Sequence, residues 1–193
     1  LENVTLDREL GESLETVRFY TQVPPRDING DGVMELPQPV PLVDYRITSD
    51  TVNFWLIHWR QFDLQGRPSQ VFTTYHNDRD GWYFILPDEW DNNLTLSRSD
   101  LPGGGERSVT FSYWQGEAAT DPKPFLTIYK LTGSSRVARA QAGDRFLLYP
   151  MNALDRPEEA ATIYVAEFRE GWDSGLTEET VRERFSIIRT DWY

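Results

Sequence analysis

Residues 107–113 read Arg-Ser-Val-Thr-Phe-Ser-Tyr. Val109, Phe111 and Tyr113 fall on one side of this run and Ser108, Thr110 and Ser112 on the other, a period of two that belongs to a strand with one wet face. Outward from it the same signature recurs, each run rich in aromatic and β-branched residues and bounded by Gly, Pro, Asn or Asp. Strands are expected at 52–62, 70–75, 81–86, 94–98, 107–114, 125–131, 145–149 and 162–168. Residues 52–57 and 81–86 are apolar on both sides, which suits interior strands covered by a further layer. Asn77-Asp78-Arg79-Asp80-Gly81 reads as a hairpin loop and Pro102-Gly103-Gly104-Gly105 as a flexible one.

A C-terminal helix is expected over 178–188, with Thr177 as N-cap, Leu176 stapled onto Val181, and Val181, Phe185 and Ile188 as its apolar stripe. A shorter helix over 136–142 would end at Gly143. Residues 1–45 read as a connector, extended where Pro24, Pro25, Pro37, Pro39 and Pro41 punctuate it, and 46–193 as one antiparallel domain. The expected class is therefore α+β, mainly antiparallel β-sheet with one C-terminal helix and one shorter helix.

Composition narrows the function. A net charge of −12 repels phosphate backbones and anionic lipid, so nucleic-acid binding is not expected. With no cysteine there is no disulfide, thiolate metal site or thiol nucleophile. Apolar runs such as Phe54-Trp55-Leu56-Ile57 stop well short of the roughly 20 residues of a membrane span. Beginning at Leu1 without a signal sequence, the chain reads as a mature or truncated part of something longer.

One segment carries metal chemistry. Asp27-Ile28-Asn29-Gly30-Asp31-Gly32-Val33-Met34-Glu35 sets oxygen side chains at loop positions 1, 3, 5 and 9, Gly32 at position 6 and the Val33 carbonyl at position 7. Hard oxygen donors in this order wrap a Ca²⁺ ion, so Asp27, Asn29, Asp31, Val33 and Glu35 are the expected ligands. An EF-hand would need Glu at position 12, where Gln38 stands between two prolines. Without a metal, the same residues would make an Asx-rich turn.

The loop resembles the calcium loops of FG-GAP/VCBS-type repeats, which join two strands and close with the acid at position 9. Together with residues 81–90 (Gly-Trp-Tyr-Phe-Ile-Leu-Pro-Asp-Glu-Trp), 107–113, 125–133 and the closing Leu-Thr-Glu-Glu-Thr-Val-Arg-Glu-Arg-Phe-Ser-Ile-Ile, it resembles the C-terminal part of uncharacterised exported lipoproteins of Clostridia-type gut bacteria. That resemblance implies an extracellular or surface-anchored location. The strand-Pro-x-x-Trp stretch ending at Trp90 is similar to the opening of Mog1/PsbP-like domains, which implies an antiparallel sheet flanked by helices. Neither resemblance supplies a catalytic residue.

Other candidates are weaker. His58 and His76, the two histidines, lie among aromatics without a local triad or zinc pattern. Asp88 and Glu89 are adjacent on a turn, where carboxylates rarely converge on one bond. No P-loop, dinucleotide fingerprint, nucleophile elbow or zincin motif occurs. Aromatics form 13% of the chain, and Trp90, Trp114, Trp172 and Trp192 near strand ends and loops are candidates for a sugar-stacking surface. The leading expectation is a non-enzymatic, calcium-braced, monomeric structural or interaction domain whose partner is a protein or glycan at the cell surface. A carbohydrate-binding module and a hydrolase whose carboxylates converge only in the fold are the alternatives.

Overall fold

A computed structural model describes residues 6–7, 12–13, 23–42, 45, 54–90, 93–101, 104–116 and 120–188, the first two pairs as backbone. In chain order the elements are β1 (Leu6–Asp7), β2 (Glu12–Ser13), β3 (Leu36–Pro41), β4 (Trp55–Phe62), β5 (Pro68–Asn77), β6 (Trp82–Leu86), β7 (Leu94–Leu101), β8 (Glu106–Tyr113), β9 (Lys123–Thr132), α1 (Arg136–Ala140), β10 (Phe146–Tyr149), β11 (Thr162–Phe168), α2 (Glu178–Arg184) and β12 (Phe185–Ile187). Besides the short β1–β2 pair there are two five-stranded sheets, ordered β12-β6-β5-β4-β3 and β10-β11-β9-β8-β7. The class is β-rich α+β, and every pairing with a recorded register is antiparallel. Among the described residues no helix is long and apolar enough to cross a membrane.

The chain divides into two compact units, one of 1–42, 53–91 and 186–193, the other of 43–52 and 92–185. The 27–35 loop lies in the same unit as β4, β5 and β6.

In the first unit, interior strands are buried on both faces, which is why their sequences do not alternate. Leu56 and Ile57 are adjacent, point to opposite faces and are both 2% exposed. One face carries Leu56, Tyr75 and Phe84 in register, all buried. The other carries Ile57 and Trp59, against which Val23 packs, with Ile28 and Phe72 partly buried beside them.

Strand β3 shows how a proline-rich segment joins a sheet. Pro37, Pro39 and Pro41 pair with Trp59, Ile57 and Trp55, while Leu36, Gln38 and Val40 alternate with them. An alternating set can aim every missing N–H away from β4, so proline is tolerated on this edge and blunts it against further pairing.

In the second unit, Val109, Ile128, Ala166 and Phe146 form a cross-strand row of buried side chains. The opposite face packs Tyr129, Leu131, Ile163 and Val165 against Ala140, Ala153 and Ala160. The alternation of 107–113 holds until a bulge between Phe111 and Ser112, beyond which Ser112 is buried and Tyr113 half-buried.

Two helix boundaries differ from expectation. Thr177 caps α2 through a capping box with Thr180, but the helix stops at Arg184. Phe185 turns extended (φ −91°, ψ 133°) and the chain continues as β12 beside β6, with the Ile188 N–H bonded to the Gly81 carbonyl at 3.0 Å. Val181 and Phe185 are buried as expected, whereas Ile188 follows β12 rather than extending the helix. Helix α1 likewise ends at Ala140 rather than 142.

Candidate metal centre

The segment 27–35 is a loop closed by a two-way backbone bridge between Arg26 and Glu35 (N···O 3.1 and 2.9 Å). Gly30 and Gly32 hold φ of 76° and 86°, conformations that side chains rarely adopt, so they make the reversal that folds the loop on itself. Asp27 is the hub: its Oδ1 accepts from the N–H groups of Gly30 (2.7 Å) and Asp31 (3.0 Å), and its Oδ2 from that of Gly32 (2.8 Å). Asn29 Oδ1 also accepts from the Asp31 N–H at 3.0 Å.

Asp31 Oδ1 accepts from the Val33 N–H at 2.8 Å, and its Oδ2 from Asn29 Nδ2 at 2.9 Å and Gln61 Nε2 at 2.7 Å. These bonds, the Val33 N–H foremost, hold the Asp31 carboxyl below its ordinary range and keep it an ionised acceptor. Glu35 is fully buried, with Oε2 on the Ile28 N–H (2.8 Å) and Oε1 on Gln61 Nε2 (2.5 Å).

Gln61 was not foreseen. Leu36 pairs with Arg60, and continuing that register by one residue sets Glu35 opposite Gln61. The only signal in the sequence is strand register, which residue spacing alone does not supply.

Of the five expected ligand residues, Asp31 and Glu35 meet on one donor, and Asn29 and Val33 reach the cluster through Asp31. Asp27 accepts three backbone N–H bonds on its two oxygens, which leaves lone-pair capacity on its carboxylate. No group of three or more His, Asp or Glu side chains is close enough to hold a metal among the described residues. The donor set fits a hard cation only when amide and backbone oxygens complete it. Rotating the Gln61 amide about its terminal bond would present Oε1 where Nε2 now lies.

Beneath the loop, Trp59 Nε1 donates to Thr74 Oγ1 (2.9 Å), which lies 3.0 Å from His76 Nδ1. His76 stacks on Tyr83 at 5.0 Å, and its Nε2 is sealed from solvent. Burial and then the nearby Arg26 charge push its pKa down to about 3, so it is neutral and packed rather than poised as a base near pH 7.

No family model, curated protein or solved structure matches this chain.

The other expected positions are dispersed. Asp88 and Glu89 are exposed on a single turn that ends at the buried Trp90. Trp114 is also buried and donates to the Thr120 carbonyl at 3.1 Å. Trp172 is half-buried, and Trp192 lies outside the described residues.

The second unit holds an ion-pair network. Arg145 makes a bidentate bridge to Glu106 (3.1 Å from each Nη) and lies 3.8 Å above the Tyr129 ring. Tyr129 donates to Glu167 at 2.8 Å and accepts from Arg169, which also binds Glu167 at 2.9 Å. Burial first, and then the bond to Glu167, raise the Tyr129 pKa. Each charge in this set has an opposite partner, an arrangement that fixes the sheet face.

Proposed function

We propose that the chain is a Ca²⁺-braced structural or interaction domain of an exported cell-surface protein. The observation that carries this reading is the meeting of two carboxylates, Asp31 and the fully buried Glu35, on the single amide nitrogen of Gln61. Two like charges gathered in one place repel, and an amide offsets that repulsion far less than a divalent ion.

In this reading Asp27, Asn29, Asp31, the Val33 carbonyl and Glu35 would hold the ion, joined by Gln61 Oε1, and the backbone bonds of Asp27 also shape the loop. The bound ion would supply charge compensation and cross-link the 27–35 loop to the end of β4. A site of few carboxylates suits the 10⁻⁴ to 10⁻³ M affinities of extracellular modules, which agrees with the surface location implied by the sequence resemblance.

The test is thermal unfolding in EDTA and in millimolar Ca²⁺. With such a Kd, an ion bound only by the folded state adds about 0.4 to 1.4 kcal/mol at 1 mM Ca²⁺. The melting temperature should rise with Ca²⁺ in the wild type and stay constant in Asp31→Ala. An unchanged wild-type value would refute the reading.

A further inference from the structure

We propose that the second unit carries a carbohydrate subsite in the groove beside Trp172, separate from the calcium reading. The groove has a volume of about 280 Å³ and is lined by Phe125, Phe168, Arg169, Glu170, Trp172 and Asp173 among others. That volume accepts a ligand about the size of one sugar ring, just below the 300 to 1,000 Å³ typical of small-molecule sites.

The groove is built rigidly. The Arg169 N–H bonds the Phe125 carbonyl and the Gly171 N–H the Pro124 carbonyl, each at 2.9 Å, so segment 169–171 runs against β9. A Cβ at Gly171 would stand 2.3 Å from the Pro124 oxygen, an approach that only glycine permits. Trp172 is then fixed by two rings, stacked on Tyr113 at 4.6 Å and steeply inclined to Phe125 at 5.1 Å. An aromatic plate held this way loses little freedom on binding.

The lining chemistry selects the ligand. Half-buried Trp172 and the 37%-exposed Phe168 offer apolar surface, while exposed Glu170 and Asp173 offer acceptors and Ser174 a hydroxyl. Arg169 already binds Glu167, Thr127 and Tyr129. A purely apolar ligand would desolvate the carboxylates without return, and an anion would be repelled by them. An ammonium cage wants several rings converging, whereas Phe125 is only 1% exposed and serves as floor. A neutral pyranose, with an apolar C–H face and a rim of hydroxyl donors, satisfies both halves of the groove.

The experiment is saturation-transfer NMR and calorimetry on the full chain with methyl glycosides of glucose, galactose and N-acetylglucosamine, their β-linked dimers, and tetramethylammonium as the cationic arm. Saturable binding of at least one sugar is expected, weakened at least tenfold by Asp173→Asn or Glu170→Gln, exchanges that keep the packing. It should be lost in Trp172→Ala variants that remain folded by circular dichroism. No sugar binding up to about 10 mM, binding of the ammonium ion alone, or sugar binding indifferent to all three substitutions would overturn the proposal. Because this groove shares no residue with the 27–35 loop, repeating the titration in EDTA separates its failure from that of the calcium reading.

Discussion

Gln61 donates to Glu35 at 2.5 Å, across 26 residues of sequence. The bond ties the closing acid of the loop to β4, and the same nitrogen also binds Asp31.

If a cation belongs between those carboxylates with Gln61 Oε1 among its ligands, Gln61→Leu should lower stability more in millimolar Ca²⁺ than in EDTA, because the variant loses ion binding as well as hydrogen bonds. In EDTA the loss should be about 1 to 3 kcal/mol, since two charged acceptors lose their shared donor. Denaturant titrations in the two buffers measure the difference. Equal losses would mean that Gln61 does no more than make ordinary hydrogen bonds.

His76 should give the protein an acid-sensitive stability. Its pKa is about 3 in the fold against 6.5 in the unfolded chain, so between those values the unfolded state binds a proton that the folded state refuses. The stability contribution is complete above about pH 6.5 and falls as pH drops towards 3, at up to about 1.4 kcal/mol per pH unit from this group. His76→Gln should flatten that limb in urea titrations at pH 7, 6, 5 and 4, and an unchanged slope would refute it.

Arg145 has only 13% of its side chain exposed, and Glu106 12%. Arg145→Ala strands Glu106 and removes a cation from above Tyr129, so it should cost about 3 kcal/mol or more. The double substitution with Glu106→Ala should cost less than the sum of the singles, a coupling that a double-mutant cycle reads directly. Additive losses would show the bridge to be energetically idle.

Phe185 is 7% exposed and its ring lies 5.6 Å from that of Tyr164, so Phe185→Ala should cost about 3 to 5 kcal/mol. Arg182, three residues earlier on α2, donates to the Leu147 carbonyl at 2.9 Å and to Glu178 at 2.6 Å. Its replacement by Ala should cost about 1 kcal/mol, more than a bare surface change. Chemical denaturation of both variants checks the order, and a smaller loss at Phe185 would contradict the packing of α2.

Local pattern by itself determined the β-rich character, the strand positions between residues 55 and 168, the capped start of α2 and the tight reversal at Gly32, because side-chain alternation, capping and positive φ are decided within a few residues. Only tertiary structure decided the rest. Whether the proline-rich 36–41 segment was a connector or an edge strand depended on finding β4 beside it, since its prolines are compatible with either. The apolar period running through Phe185 and Ile188 predicted more helix, and pairing next to β6 overruled it, because strand hydrogen bonds from a distant element outweigh a weak local preference. The meeting of Gln61 with Asp31 and Glu35 came from register, a long-range property that shifts every neighbour when it slips by one residue. The groove at Trp172 likewise rests on the approach of residues 169–171 to β9, which no local spacing encodes.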